Sequence, residues 1–596
     1  MKIKLINERN QGISFIDQIL RNRGVEKNAE EFFSVGWECV NNPHNLDNID
    51  IAADKLIEHI NKNSKIAVLV DVDVDGFTSA ALLINYINMQ KELGDEWKDY
   101  SGEIVPVFHK SKTHGLDDRE MMTRIRDEIK PDLFVIPDAS GTDYQYQALT
   151  DLGIDLLVLD HHDTRYYGDN EKVIVVNNQH SKKYTNKNLS GVGVVWQFCR
   201  VLDEKLTLVC ADQFLDLVAV GNIGDVMDMR SDETRFLCRL GLMRENIRSQ
   251  FLNYVQFTDY TLRDKEMNTE TVGFSIAPKF NAVCRIGDDT EKGFLFDSLL
   301  DSKALMKVPN GKRGHTGEEV ALVEEACRLA DNTRTRQNNR RDKLMELIDN
   351  VISDEGLQGN QVIILAFDDF KEEYRALGGL VCNQLIEIYD RPVIITFRNE
   401  DGYYSGSFRC PDRVPAYNNF KDQLEESGLC RYVAGHQYAA GVGINPENVD
   451  KLVDYFNEKY EGLDTDIYQK VDFIIDADDP ELPDLICELA QYSSAWGQNL
   501  EKPVIAIRGV KLAKSNMLLC GAKKTTLKVS CLNFSLINFK SGQTEYDSLK
   551  LPYNGVEQYY SATVIGYDPA INTYMGSSTP QLQFRDYILD SVKYDF

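Results

Sequence analysis

Three separate apolar runs in this chain each end on an acidic residue: Lys65-Ile-Ala-Val-Leu-Val70 runs into Asp71, Leu133 to Pro137 into Asp138, and Leu156 to Leu159 into Asp160. Unbroken apolar runs of this length suit strands buried on both faces. Phe77 to Met89, after the first run, carries apolar residues at helical spacing, so that segment reads as strand, loop and helix. Units of this kind build an open parallel α/β sheet, in which ligands bind beyond the carboxyl ends of the strands. The acidic residues should therefore converge at one edge. A fourth delivery comes from Asp216 to Asp225, an apolar helical segment ending in Gly221-Asn222-Ile223-Gly224-Asp225.

With 596 residues the chain exceeds a single core, and about 150 residues per domain suggests three or four domains. Residues 1–50 read as a helical lead-in, 51–250 as the parallel-sheet domain and 251–355 as an inter-lobe helical region. That region ends in a long polar helix over Val320 to Ile352, containing Arg334, Arg336, Arg340 and Arg341 and neither Gly nor Pro. A smaller α/β lobe occupies 356–462, with strands Val362 to Phe367 and Val393 to Phe397 around a helix from Gly379 to Tyr389. Residues 463–596 begin as an acidic helical stretch to Ser494. Short strand patterns from Pro503 to Tyr587 then predict a small β-barrel or sandwich.

No apolar stretch is long enough to span a membrane, and Met1 to Asn10 lacks the apolar segment of a signal peptide, so a cytoplasmic protein without a membrane partner is expected. The 12 cysteines form no C-x-x-C pair, which argues against a zinc knuckle and against a disulfide framework. A formal net charge of -28 runs against nucleic-acid binding, which normally needs a basic surface. Two arrangements reconcile it: carboxylates gathered around metal ions, and basic residues concentrated in one groove.

The densest acidic cluster is Asp71-Val72-Asp73-Val74-Asp75-Gly76, where alternate carboxylates follow a buried strand and a glycine permits a tight turn into the helix. Such carboxylates reach one side of a loop and can share hard cations such as Mg²⁺ or Mn²⁺. A calcium loop competes on composition, but an EF-hand lies between two helices and closes on a Glu at its position 12, which here is Leu82. For this segment alone a polar turn is the plain alternative. Asp160-His161-His162 adds imidazole nitrogen after a second buried strand, against the alternative of a capped helix start with surface histidines. Two cations about 3.5–4 Å apart polarise a phosphodiester, generate hydroxide and stabilise the leaving oxygen. The combined clusters thus point to hydrolysis of a phosphate ester.

The strings DVDVDG (71–76), PDAS (137–140), LDHH (159–162) and GNIGDV (221–226) resemble, in order and spacing, the four acidic motifs of the DHH phosphoesterases. Ala434-Gly435-His436-Gln437-Tyr438-Ala439-Ala440-Gly441 is similar to the Gly-Gly-His motif of the DHH-associated substrate-binding domain. Leu189 to Val194, Gly273 to Arg285 with Pro278 and Asn281, Gly379-Leu380-Val381 and Arg391-Pro392 narrow the resemblance to the RecJ-like branch. Trp496-Gly497-Gln498-Asn499 with Pro503, and Asn572 to Gly576 leading to Pro580-Gln581-Leu582, are similar to the OB-fold domain of that branch. Four departures stand out: Ala434 replaces the first Gly, Ala139-Ser140 follows Asp138, Met227-Asp228 replaces Val-Pro, and Phe108-His109-Lys110 lies where an arginine usually helps hold the DNA end.

Carried over position by position, the resemblance implies Asp73, Asp75, Asp138, His161 and Asp225 as ligands of two divalent cations, Mn²⁺ or Mg²⁺, with Asp71 and Asp160 as ligands or support. His162 would face the scissile phosphate and complete the catalytic set. Gly435 and His436, on a Gly-rich loop whose N–H groups suit an anion, would bind substrate from the second lobe. Arg285, Ser407 and Arg409 match phosphate-contacting residues, although a structural salt bridge or hydrogen bond explains each equally well. His109 would lie near the held DNA end, its neighbourhood bearing on polarity and length preference.

The fold so implied is an α/β multidomain protein: a parallel-sheet DHH domain, a long connecting helix, a smaller α/β DHH-associated domain and a C-terminal OB-like β-barrel. The implied activity is a metal-dependent exonuclease on single-stranded DNA, acting 5′ to 3′ and releasing 5′-mononucleotides in recombination, repair or replication. The long helix would join two lobes and leave a channel too narrow for duplex, while the barrel holds the strand, with Tyr567 and Tyr574 either stacking on bases or simply packing. The expected partner is single-stranded DNA, fed to a monomer by a single-strand-binding protein or helicase. An oligonucleotide or cyclic-dinucleotide phosphodiesterase would share the metal site but not the barrel. A catalytically silent replication scaffold would have no physical need to keep carboxylates facing one another.

Overall fold

In the computed structural model the apolar runs form a sheet whose winding decides where the acidic residues go. The structure describes residues 2–109, 114–163, 171–260, 262–263, 265–315, 317–369, 371–539, 542–552, 556–574 and 576–595. Lys110, Met575 and the side chain of Tyr574, named above, lie outside the described residues. The chain divides into two compact units. One is Glu30–Gln337 with Ser494–Glu501; the other collects the chain up to Ala29, Asn338–Ser493 and the chain from Lys502 onward.

The first unit holds five parallel strands, β1 (Ile66–Val70), β2 (Ile104–Phe108), β3 (Leu133–Pro137), β4 (Asp155–Asp160) and β5 (Val173–Asn177). Their order is β2-β1-β3-β4-β5. From β1 the chain moves out to the edge strand β2, then crosses back to β3, so the direction of winding reverses between β1 and β3. A doubly wound sheet opens a ligand crevice at such a reversal, outside the carboxyl ends of the strands. β1 and β3 are buried along their whole lengths, as their unbroken apolar sequences require. Helix α1 (Val74–Leu93) is buried on nearly every side, beneath α2 (Gly191–Lys205) and α3 (Leu215–Gly224). Across the sheet, Leu69, Phe134, Ile136 and Val158 pack with Met121, Tyr146 and Leu149. Each such side chain contributes about 1.5–3 kcal/mol on leaving water.

The long helix α4 (Leu322–Asp354) is 33 residues, with Gln337 in the first unit and Asn338 in the second. The second unit contains a mixed sheet of β6 (Ile363–Phe367), β7 (Val393–Arg398), β8 (Tyr404–Arg409), β9 (Cys430–His436) and β10 (Ala439–Ile444), in the order β9-β10-β8-β7-β6. Helix α5 (Gly378–Tyr389) packs on β7 and β8.

A seven-stranded sheet follows, of β11 (Phe473–Asp476), β12 (Ile505–Ala513), β13 (Met517–Cys520), β14 (Thr526–Ser530), β15 (Ser535–Phe539), β16 (Glu557–Tyr574) and β17 (Ser577–Asp595). Its order is β11-β12-β16-β17-β15-β14-β13. β12 and β13 are consecutive in the chain, yet one pairs with β16 and the other with β14. Taken as one bent strand they close a ring of five, with α6 (Gly542–Leu549) between β15 and β16 and a parallel pairing of β15 with β17. The topology agrees with the small β-barrel or sandwich the sequence predicts, with β11 added to its edge.

Three local expectations differ from the structure. Residues 2–5 of the supposed helical lead-in form a strand paired in parallel with Tyr468–Val471; the alternation Lys-Ile-Lys-Leu has the strand period of two, not the helical one. The stretch after 462 likewise contains strands at Tyr468–Val471 and Phe473–Asp476 before its helix, Leu482–Ala490, because acidic neighbours dominate its composition and hide two short apolar patterns. Trp496 to Asn499, matched above to the C-terminal domain, belongs to the first unit, where Gln498 accepts from the Met229 N–H at 3.0 Å and Thr269 donates to the Trp496 carbonyl.

Candidate metal centre

The loop from β1 into α1 is held from both ends. Asp73 caps α1, its Oδ1 accepting from the Gly76 N–H at 2.9 Å, which satisfies one of the N–H groups a helix start leaves free. A Cβ on Gly76 would lie 2.6 Å from Asp71 Cβ, so glycine is required there. Asp71 is buried; its Oδ1 lies 2.8 Å from His109 Nε2 and accepts from the Gly115 N–H at 3.1 Å, while its Oδ2 lies 2.6 Å from His114 Nδ1. Asp75, also buried, accepts from Ser190 Oγ at 3.1 Å and from the N–H groups of Gly191 and Val192 at 2.6 and 3.0 Å. These donors form the start of α2, where the helix dipole favours negative charge.

Asp138 leaves β3 with φ of 56°, a left-handed conformation that Asp tolerates better than most residues. A Cβ on Gly191 would come within 2.5 Å of Asp138 Cβ, so this glycine lets α2 approach the loop. His161 leaves β4 and brings its Nε2 to 3.2 Å from Asp138 Oδ1, 3.3 Å from Asp225 Oδ2 and 3.8 Å from Asp75 Oδ2. Asp160 turns to His162 instead, accepting from its Nδ1 at 2.8 Å, and the Asn177 amide at the end of β5 donates to the His162 carbonyl at 2.9 Å. Asp225 ends α3. There the Met227 N–H reaches the Asn222 carbonyl and the Val226 N–H that of Ile223, the paired bonds of a Schellman cap. The residue this cap holds at positive φ is Val226, at 60°.

Donor atoms fall into groups within 4.8 Å of one another: Asp71, Asp73 and His114; Asp75, His161 and Asp225; and Asp138 with His161 and His162. Both oxygens of Asp138, Oδ2 of Asp160 and Nε2 of His161 are buried without a hydrogen-bond partner among the described residues. Burial and the carboxylates of Asp75, Asp73, Asp225 and Asp71 hold Asp138 well above the usual carboxylate range. Burial with Asp75 and Asp73 pushes Asp225 to about 8, and burial with Asp71 pushes Asp73 to about 6. Asp71 falls below its ordinary value, because hydrogen bonds from His109 and His114 outweigh its burial. Burial also lowers His161, whereas in His162 the bond to Asp160 outweighs burial and raises the ring to about 9. Converging carboxylates that cannot all ionise, beside unpaired buried donors, form a site that divalent cations fit.

The structure thus brings together Asp71, Asp73, Asp75, Asp138, Asp160, His161, His162 and Asp225. His109 is not on a surface a strand could touch: its ring is fully buried, close to Asp71 and Asp118. Arg285 lies on the helix Ala277–Ile286, whose Cys284 feels the charges of Asp73 and Asp71. In the second unit, register places Arg409 of β8 opposite Ala439 of β10, itself opposite His436 of β9. Opposed residues share a face, and Ser407, two residues back on β8, joins them. A Cβ on Gly379, in the first turn of α5, would lie 3.0 Å from Arg409 Nη2 and 3.7 Å from Ser407 Oγ. Gly435 sits beside His436 at φ 134°. Arg409 donates from Nη1 to the Phe408 carbonyl at 2.7 Å and forms no ion pair among the described residues, and burial lowers its pKa. Tyr567 donates to Asp586 at 3.0 Å. Sequence reasoning missed His114, which lies several residues past the apolar run Ile104 to Phe108 and not at its end, and Asn177, which the strand-end rule would have found.

Two family models match the chain: DHH family, N-terminal domain, over residues 65–222, and DHHA1 domain over 359–462. The protein named "putative SPbeta prophage-derived single-strand DNA-specific exonuclease YorK" of Bacillus subtilis is 35% identical over 604 residues, covering 100% of this chain and 99% of its own. The single-stranded-DNA-specific exonuclease RecJ of the same organism is 24% identical, covering 98% of this chain and 69% of its own. The crystal structure of RecJ in complex with Mn²⁺ from Thermus thermophilus superposes with a TM-score of 0.67 at 20% identity, over 96% of this chain and 76% of that one, and so shares the fold. By its motifs, its winding and these relatives, the chain belongs to the RecJ-like branch of the DHH family.

Proposed function

We propose that this protein is a metal-dependent exonuclease that hydrolyses phosphodiester bonds of single-stranded DNA from the 5′ end and releases 5′-mononucleotides. The observation that carries the proposal is the set of unpartnered buried atoms on Asp138 and His161 amid four further carboxylates; the named relatives indicate the substrate. Asp73, Asp75, Asp138, His161 and Asp225 would hold two divalent cations, Mn²⁺ or Mg²⁺, with Asp71 and Asp160 as further ligands or support. Bound there, such ions polarise the phosphodiester and lower the pKa of water. His162 keeps a proton on Nδ1 toward Asp160, which leaves Nε2 to meet a phosphate or leaving oxygen. Asp75 is fixed by three donors and so orients α2 against the centre.

In the second unit, Ser407, Arg409, Gly435 and His436 form a polar face suited to the phosphates of a strand, a guanidinium without an ion pair among the described residues and beside a helix start being well matched to an anion. Arg285 would add a contact in the first unit. The C-terminal barrel would follow the strand by backbone contacts. The proposed setting is the cytoplasm, where a monomer would receive strands from a helicase or a single-strand-binding protein in recombination, repair or replication.

The test is digestion of single-stranded DNA labelled at its 5′ or 3′ end, with Mn²⁺ and with chelator, beside a duplex and a dinucleotide. Metal-dependent release of 5′-labelled mononucleotide from the single strand is expected. Cleavage confined to the dinucleotide would overturn the proposal.

A further inference from the structure

We infer that His114 is a direct ligand of one of the two cations, together with Asp71 and Asp73, and that it biases that position toward Mn²⁺ over Mg²⁺. The inference rests on the two-cation reading above. Its donor nitrogen lies with carboxylate oxygens of Asp71 and Asp73 inside 4.8 Å, the same limit that encloses Asp75, His161 and Asp225. The two oxygens of Asp71 are not equivalent. Oδ1 is engaged by His109 Nε2 at 2.8 Å and the Gly115 N–H at 3.1 Å, while Oδ2 meets His114 Nδ1 at 2.6 Å. His109 is sealed in the interior, a fixed brace, whereas the His114 ring is exposed at the rim. The oxygen left for a cation is therefore the one that His114 shares.

His114 does not sit there by accident of a loose loop. Gly115 donates to Asp71 and the Leu116 N–H donates to the Ser140 carbonyl at 3.3 Å, so the segment is fastened to the loops after β1 and β3. In the metal-free centre Nδ1 meets Asp71 Oδ2 through a shared proton; a cation held beside Asp73 would displace that proton and take the Nδ1 lone pair. The centre then offers one imidazole to each ion, His114 to one and His161 to the other. Nitrogen donors favour Mn²⁺ and the later divalent metals, while Mg²⁺ prefers oxygen ligands and keeps its waters.

The experiment uses full-length, metal-free protein. Mn²⁺ binding is counted by electron paramagnetic resonance, Mn²⁺ and Mg²⁺ affinities are measured by calorimetry, and electron spin-echo modulation reports histidine nitrogen on bound Mn²⁺. Wild type is compared with His114→Gln and His114→Ala, whose folding is checked by circular dichroism in chelator. The expected result is that one of two Mn²⁺ ions weakens by about tenfold or more, that Mg²⁺ weakens less, and that the histidine nitrogen modulation falls by half. Affinity alone does not separate a ligand from a residue that only orients Asp71, since either change weakens metal binding; the nitrogen signal does. Unchanged modulation in both variants, with or without loss of affinity, would overturn the inference. If wild type itself binds no Mn²⁺, the two-cation reading fails before His114 is tested.

Discussion

Replacing Asp138 by Asn should stabilise the metal-free protein while abolishing turnover, and adding Mn²⁺ should remove that advantage. Both Asp138 oxygens are buried without a hydrogen-bond partner, and the carboxylates of Asp75, Asp73, Asp225 and Asp71 all act against its ionisation. A buried polar group left unsatisfied costs about 1–3 kcal/mol. An amide of the same shape is neutral without having to bind a proton and can donate to neighbouring carboxylates, so most of that cost should be recovered in chelator. A cation held at a hundred times its Kd adds about 2.7 kcal/mol to the native state. Wild type should gain this for each ion, whereas the variant should lose the gain of any ion that depends on Asp138. The order of stability should therefore close or reverse in Mn²⁺. Trp37, Trp97, Trp196 and Trp496 all lie in the first unit, so denaturation followed by tryptophan fluorescence reports that unit alone. A variant less stable than wild type in chelator, or one that gains as much from Mn²⁺, would refute the reasoning.

Arg23 Nη1 and Nη2 meet the two oxygens of Asp472 at 2.7 and 3.0 Å in the interior of the second unit; Arg23→Ala should cost that unit about 3–5 kcal/mol by leaving a buried charge unpaired, read by circular dichroism, and a loss below 1 kcal/mol would contradict the pairing. Val226 holds φ of 60° and is 56% exposed, so Val226→Gly should relieve about 1–3 kcal/mol of strain against about 1 kcal/mol of added chain entropy; clear destabilisation would show that Val226 packs on something. His44 lies 2.9 Å from Asp50 and 2.7 Å from Glu204, and both hydrogen bonds raise its pKa. A raised folded-state value means the contribution is complete below the unfolded value near 6.5 and is lost as pH climbs through the folded one. His44→Gln should therefore lower Tm at pH 6 but not at pH 9, by an exposed-pair effect below about 1 kcal/mol. Arg409→Ala should weaken single-strand binding and reduce its salt slope by about 0.7; an unchanged slope would leave Arg409 with a structural role.

Where burial was complete, the sequence was easy to read. β1, β3 and β4 are central strands with no alternation, and the acidic residue after each could be placed on sight because a doubly wound sheet gathers strand ends. His114 escaped because β2, an edge strand carrying Pro106, ends at Phe108, and the strand-end rule reaches only the residues that follow at once. Lys2–Leu5 escaped for a different reason: Lys2 pairs with Tyr468, and no local pattern encodes a partner that distant in the chain. The polar face of the second unit lay between these cases. Ser407, Arg409 and His436 each matched a motif, but only the register through Ala439 puts them on one face.

The carboxylates of the centre are not supported alike. Asp75 accepts from the start of α2, Asp71 from His114 and the Gly115 N–H, and Asp160 from His162, so the protein itself compensates three of the charges, while the single cap bond to Asp73 leaves that carboxyl raised to about 6. Asp225 has the opposite placement: it ends α3, where the helix dipole is negative and a carboxylate is disfavoured, and the cap that orients it forces Val226 into a conformation β-branched residues avoid. Asp138 combines left-handed backbone with two unpartnered oxygens. Neither arrangement aids folding, and strain of this kind persists where the surrounding structure imposes it for function. The demand for positive charge therefore falls chiefly on Asp138 and Asp225. Both approach His161 Nε2, at 3.2 and 3.3 Å, which makes that nitrogen the point around which cation binding should relieve the most unfavourable energy.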